Sequence, residues 1–228
     1  MPGFFVTATG TDVGKTFVTL GLIHALRARG QKLSALKPVV SGFDEAAPGG
    51  SDPALLLEAL GYPASLTELD KISPWRFKAP LSPDMAARKE ARSIDFEKLA
   101  AYCQSMIATR GDLMLVEGIG GLMVPFDERF TVLDLMQRLA LPVILVSGTY
   151  LGAISHLLSA LDVLTRRDLL PRVIVLNESK DSSVTMQDTS ETLSHFCGTV
   201  PLVKLARQHP GSSPEHDFAP LIDALQIR

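Results

Sequence analysis

The chain has 228 residues, with 22 Lys and Arg against 25 Asp and Glu, a formal charge of −3, and 46% apolar residues. This composition excludes a disordered, collagenous or coiled-coil chain, and the near balance of charge gives no electrostatic reason to expect nucleic acid or a membrane surface as a partner. The length suits one domain, residues 1–228, better than two.

In chain order, residues 4–7 read as a short β-rich strand that passes through a polar, Gly-containing loop into a helix over 16–29, which Gly30 ends. Further strands are predicted over 32–40, 112–117, 142–147 and 172–176, with a sixth over 199–203. Helices are predicted over 54–60, 96–109, 131–139, 153–167 and 184–196. The strands are continuous apolar runs, as expected when helices cover both faces of a parallel sheet. The expected fold is therefore α/β: a doubly wound, mostly parallel sheet, whose ligands bind beyond the carboxyl ends of the strands. The Pro-, Gly- and Ser-rich stretches 41–53 and 72–83 read as long functional loops.

Cys103 and Cys197 lie far apart, with no Cys or His at metal-ligand spacing, so neither a disulfide framework nor a zinc site is expected. The opening MPGFFVTATG lacks the basic flank and apolar run of a leader peptide. The longest apolar stretch, 139–146, contains Pro142 and is too short for a bilayer. A cytoplasmic protein is expected.

The loop Ala8-Thr9-Gly10-Thr11-Asp12-Val13-Gly14-Lys15-Thr16 joins the first strand to its helix, the context required of a phosphate-binding loop. Helix N-terminal N–H groups point at an anion, Gly14 allows close approach, Lys15 reaches outer phosphates and the Thr16 hydroxyl can ligate Mg²⁺. The strict G-x-x-x-x-G-K-[ST] spacing fails, because Thr9 stands where the first Gly belongs. An ordinary helix start capped by Thr11 or Asp12 is the alternative. Glu117 ends a buried strand and precedes Gly118-Ile119-Gly120-Gly121, placing an oxygen ligand for a hard cation beside an open backbone. Lys37 precedes Pro38, which biases it to an extended conformation. Asp52 either caps the helix that Pro53 opens or serves as a second metal carboxylate. The helix start at Leu151-Gly152-Ala153-Ile154-Ser155-His156 offers free N–H groups to a carboxylate, or is an ordinary helix start. Asn177 follows the fifth strand and can read a purine edge or make a turn.

Together these positions resemble the dethiobiotin synthetase family over nearly the whole chain. The residues carrying the resemblance are ATGTDVGKT, Lys37-Pro38-Val39-Val40-Ser41-Gly42, Ser51-Asp52, the FKAPLSP of 77–83, the VEGIGG of 116–121, the PVILV of 142–146 and LGAISH. The phosphate loop is similar to the family's version, one residue longer than the standard pattern.

The resemblance implies an ATP-dependent ligase that carboxylates 7,8-diaminononanoate with CO₂ and closes the ring to dethiobiotin. It implies Lys37 and Lys15 as catalytic residues and Mg²⁺ at Thr16, Asp52 and Glu117. ATP would lie on Asp12, Val13, Gly14, Lys15, Thr16 and Phe17, near Gly118, Ile119 and Gly120, with Asn177, Glu178, Val200, Pro201 and Leu202 bordering adenine. Thr11 and Ser41 would touch the substrate, and Gly152, Ala153, Ile154 and Ser155 would hold its carboxylate across a homodimer interface. Ala8, Gly10, Asp12 and Ser155 depart from the family's pattern.

Two other classes share the loop style. Switch ATPases of the ParA and MinD kind usually carry a lysine five residues before Lys15, where this chain has Gly10. Amidoligases of the cobyrinic- or cobyric-acid kind carry an added glutaminase domain, for which 228 residues leave no room.

Overall fold

The computed structural model describes residues 3–109, 112–207 and 213–227. Its elements in chain order are β1 (Gly3–Ala8), α1 (Lys15–Ala28), β2 (Leu33–Leu36), β3 (Val39–Ser41), α2 (Asp52–Leu60), α3 (Leu66–Ile72), β4 (Trp75–Phe77), α4 (Pro83–Lys89), α5 (Phe96–Thr109), β5 (Leu113–Glu117), α6 (Val132–Leu139), β6 (Val143–Ser147), α7 (Ala153–Arg166), β7 (Val173–Asn177), α8 (Met186–Ser194), β8 (Leu202–Leu205), α9 (Pro214–Asp217) and α10 (Ala219–Leu225). Six parallel strands form the main sheet in the order β2-β5-β1-β6-β7-β8. Every residue of β1, β2, β5 and β6 is buried, which is why these strands read as unbroken apolar runs. β1 lies between β5 and β6, so the exits of these three strands open side by side at one edge of the sheet.

Two strand predictions are corrected. The run 32–40 is not one strand. Pro38 lacks an N–H and the Lys37 N–H bonds Ile72 O at 2.9 Å, so the chain leaves the main sheet after Leu36. It resumes as β3, which pairs with β4 in a separate two-stranded sheet. The sixth strand is displaced from 199–203 to Leu202–Leu205: Gly198 turns at φ 58, and Pro201 contributes only its carbonyl, to Ile174 N. The stretches 41–53 and 72–83 are not wholly loop, since they contain the end of β3, the start of α2, the last residue of α3, β4 and the first residue of α4.

The helix predicted over 131–139 begins one residue later, because Thr131 is its N-cap in a capping box with Asp134. Helix 184–196 likewise shortens to α8, with Thr185 as N-cap. The C-terminal helices pack on α1, and the Phe218 ring fills the space where a side chain at Gly21 would stand. Among the described residues no helix is long and apolar enough to cross a membrane.

Candidate active site

The turn from β1 to α1 is built on two left-handed residues, Asp12 at φ 57 and Gly14 at φ 100, whereas Ala8 remains in the strand. Gly14, not Thr11 or Asp12, is the N-cap of α1, and no side chain caps it. The first N–H groups of the helix therefore remain directed at a cavity of about 710 Å³, whose lining includes Lys15, Thr16, Lys37, Ser41, Asp52 and Ile119. Phe17 also lines this cavity, and its ring tilts against Phe218 at 5.7 Å.

At the floor of the cavity four side chains converge from α1, the exit of β2, the start of α2 and the end of β5. The Lys37 ammonium donates to Glu117 Oε1 at 2.6 Å and to Gly118 O at 3.1 Å, and pairs with Asp52 Oδ2 at 3.0 Å. The Thr16 hydroxyl donates to the same Glu117 Oε1 at 2.8 Å. Asp52 lies at the first position of α2, behind Ser51 as N-cap, and its carboxylate faces Lys37, so it is not the helix cap. Burial opposes the Lys37 charge, but Glu117 and Asp52 outweigh it, and the net effect is to raise the pKa. Burial also opposes the Asp52 charge, yet Lys37, with hydrogen bonds from Lys37 and Thr16, carries its pKa below the usual value.

Lys15 folds back over its own loop, Nζ donating to Gly10 O at 3.2 Å. Burial first, and the neighbouring Lys37 charge second, lower its pKa to about 8 despite Glu117, Asp52 and Asp12.

Glu117 Oε2 is buried and lacks a hydrogen-bond partner among the described residues. An orphaned carboxylate oxygen, a second carboxylate and a hydroxyl form an oxygen donor set suited to Mg²⁺, which binds one or two protein carboxylates and fills its remaining positions with phosphate and water. Lys37 now supplies the positive charge that these carboxylates require.

The glycine run after β5 lies against the phosphate loop. A Cβ at Gly121 would meet Thr9 O at 3.3 Å, and one at Gly120, itself at φ 59, would press Val124 at 2.7 Å. On the other side of the loop a second cavity of about 840 Å³ runs from Thr11 to Tyr150 and His156, which bond to each other at 2.7 Å. Leu151 to Ser155 line neither cavity, although His156, in the first turn of α7, lines the second: Gly152, at φ 99, caps the helix without a side-chain bond, and Leu151 is 81% exposed.

Asn177 neither caps a turn nor stands free. Its side-chain amide donates to Val13 O at 3.0 Å. Val200, Pro201 and Leu202 are a further correction. The register pairs Leu202 with Ile174 near the start of β7 and Leu205 with Asn177 at its end, so these three residues lie at the amino edge of the sheet, away from the phosphate loop. The residues that leave β8 beside Glu178 are Ala206 and Arg207: Glu178 N bonds Leu205 O at 3.0 Å and Arg207 N bonds Glu178 Oε2 at 2.8 Å. The signal for them was Pro201, which marks a strand start more readily than a strand middle.

A family model described as an AAA domain matches residues 2–209. The chain is 47% identical over 215 residues to an ATP-dependent dethiobiotin synthetase BioD of Phenylobacterium zucineum (strain HLK1), covering 94% of this chain and 87% of that one. It is 49% identical over 183 residues to the BioD of Caulobacter vibrioides (strain NA1000 / CB15N), covering 80% and 82%. The chain belongs to the dethiobiotin synthetase family. Among solved structures, a ParA family ATPase from Chlorobium tepidum TLS superposes with a TM-score of 0.57 at 13% identity, covering 99% of each chain, which shows a common fold alone. The fold is thus shared with a ParA family ATPase, and the sequence relatives place this chain with the dethiobiotin synthetases.

Proposed function

We propose that the chain, working as one domain, carries out the ATP-dependent carboxylation and ring closure of 7,8-diaminononanoate to dethiobiotin, with ADP and phosphate as the other products. The family assignment supports this reading. The observation that carries it is the meeting of Lys15, Lys37 and an uncapped helix N-terminus in one cavity. The α1 N–H groups and Lys15 would bind the triphosphate, and Asn177, Glu178 and the backbone of Ala206 and Arg207 would border the base. Mg²⁺, held by Thr16, Asp52 and Glu117, would neutralise phosphate charge.

The first substrate amine takes up CO₂ to form a carbamate, whose oxygen attacks the γ-phosphorus as ADP leaves. One anion attacks another, so positive charge must stand where they meet. Lys37 supplies it by turning from Glu117 and Asp52 towards the terminal phosphoryl group, with Ser41 and Thr11 at the reacting nitrogen end. The second amine then attacks the carbamoyl carbon of the mixed anhydride and expels phosphate, a step driven by proximity. The start of α7 would hold the substrate carboxylate from a second copy in a homodimer, a reading supported by the open space that a side chain at Gly152 would meet among the described residues. ADP release should require the diamine and bicarbonate together and match dethiobiotin one to one. Release indifferent to the diamine would instead favour a switch ATPase.

A further inference from the structure

The segment leaving β7 is fixed at both ends of a short span. Glu178 N bonds Leu205 O, while Ser179 and Thr149 exchange two bonds, Ser179 N to Thr149 Oγ1 and Thr149 N to Ser179 Oγ, each 3.0 Å. From this braced segment Asn177 reaches across to the phosphate loop and donates to Val13 O. The contact is close enough that the Asn177 amide occupies the place of a side chain on Gly14.

Val13 lies between Asp12 and Gly14, the two left-handed residues of the turn. Asp is one of the L residues that can adopt that conformation, but uncommonly, so the turn depends on contacts that fix it. A trans peptide directs its C=O and N–H to opposite sides. Anchoring the Val13 carbonyl on Asn177 therefore aims the Gly14 N–H away from Asn177, and Gly14 lines the cavity. We propose that Asn177 is a positioning residue for the phosphate loop: by holding the Val13 carbonyl it presets the Gly14 N–H for the triphosphate, independently of any contact with the base. This rests on the reading of the loop as a triphosphate site.

The test compares ATP with inorganic tripolyphosphate, which has no base, each with Mg²⁺, by titration calorimetry on the full chain. Asn177→Leu keeps the side chain's size without its donor, and Asn177→Ala removes both. The proposal predicts that both variants lose affinity for tripolyphosphate by about fivefold to tenfold for one hydrogen bond, and for ATP by at least that factor, since the base contact is lost as well, while ligand-free melting changes little. A loss confined to ATP, with tripolyphosphate unchanged, overturns the positioning role and leaves the triphosphate reading standing. Failure of the unaltered protein to bind either ligand overturns the triphosphate reading itself. A measurement on the unaltered protein does not depend on the variants folding: the Asn177 side-chain amide resonances should move when tripolyphosphate is added. If they stay in place, the proposal is wrong.

Discussion

Two helices of this fold begin alike and end up in opposite surroundings. α1 and α7 each follow a buried strand, each is capped by a left-handed glycine, Gly14 at φ 100 and Gly152 at φ 99, and neither has a side-chain cap or an acid in its first turn. Both therefore present bare N–H groups to an anion. Around α1 the chain has gathered Lys15, Lys37 and Asp52 in a cavity, with the buried Glu117 bonded to Lys37 and Thr16, and Asn177 fills the space beside Gly14. Around α7 there is an exposed Leu151 and open space beside Gly152. The backbone geometry of an anion site is thus local, whereas its strength and chemistry come from distant strand exits. Among the described residues, the space beside Gly14 is filled by Asn177, whereas the space beside Gly152 is open.

The largest expected effect comes from removing the charge that distinguishes α1. Lys37→Ala should lower kcat by about 10³-fold, in the range for losing one electrostatic contact to a transition state, while ADP affinity changes little. It also leaves Glu117 buried without its nearest counter-ion, at a cost of about 3 kcal/mol. Added Mg²⁺ should then raise the melting temperature of the variant more than that of the unaltered protein. Turnover near the original rate would remove Lys37 from the mechanism.

Next, equivalent changes at the two caps should have unequal results. Gly14→Ala combines left-handed strain with a collision against Asn177 and should abolish measurable ATP binding. Gly152→Ala meets open space, so only strain of about 1 kcal/mol remains. It should raise KM for the diamine several-fold and leave KM for ATP unchanged. Equal effects of the two substitutions on ATP binding would break the distinction.

The smallest effect is one of pH. Lys15, lowered to about 8, loses its proton in the ligand-free protein as pH rises through that value. A bound triphosphate favours the charged amine, so binding near and above this pH takes up a proton, and ATP affinity should fall by up to about tenfold between about pH 7 and pH 9. Calorimetry in two buffers of different ionisation enthalpy reads the proton directly, and an absence of uptake at about pH 8.5 would show that Lys15 does not face the phosphates.

Much of this contrast was legible in the sequence because it is written locally. Val13-Gly14-Lys15-Thr16 after an apolar strand, Glu117 at the tip of another and Gly152 before a helix each follow from a few adjacent residues. What spacing could not reveal was convergence. Asn177 and Val13 are separated by 164 positions, and their bond depends on strand order and register. Asp52 looked like a cap because Pro53 follows it, yet Ser51 occupies the cap position and frees the carboxylate for Lys37. The apolar residues on either side of Lys37 and Pro38 made 32–40 read as one strand and hid the break at Pro38, the very break that directs Lys37 into the site. Short helices such as α3, α4, α9 and α10 lack the length for a periodic signal. With β8 starting at Leu202 rather than at 199, the expected base-side residues fall at the wrong edge of the sheet.

In the proposed reaction the uncapped α1 start and Lys37 bring a carbamate oxygen onto the γ-phosphorus. In a single turnover with ¹⁸O-labelled bicarbonate, ATP, Mg²⁺ and 7,8-diaminononanoate, the account predicts that one labelled oxygen appears in the released phosphate, because the attacking carbamate oxygen leaves with phosphorus when the ring closes. Phosphate carrying only ATP and solvent oxygen, formed while dethiobiotin accumulates, would contradict it.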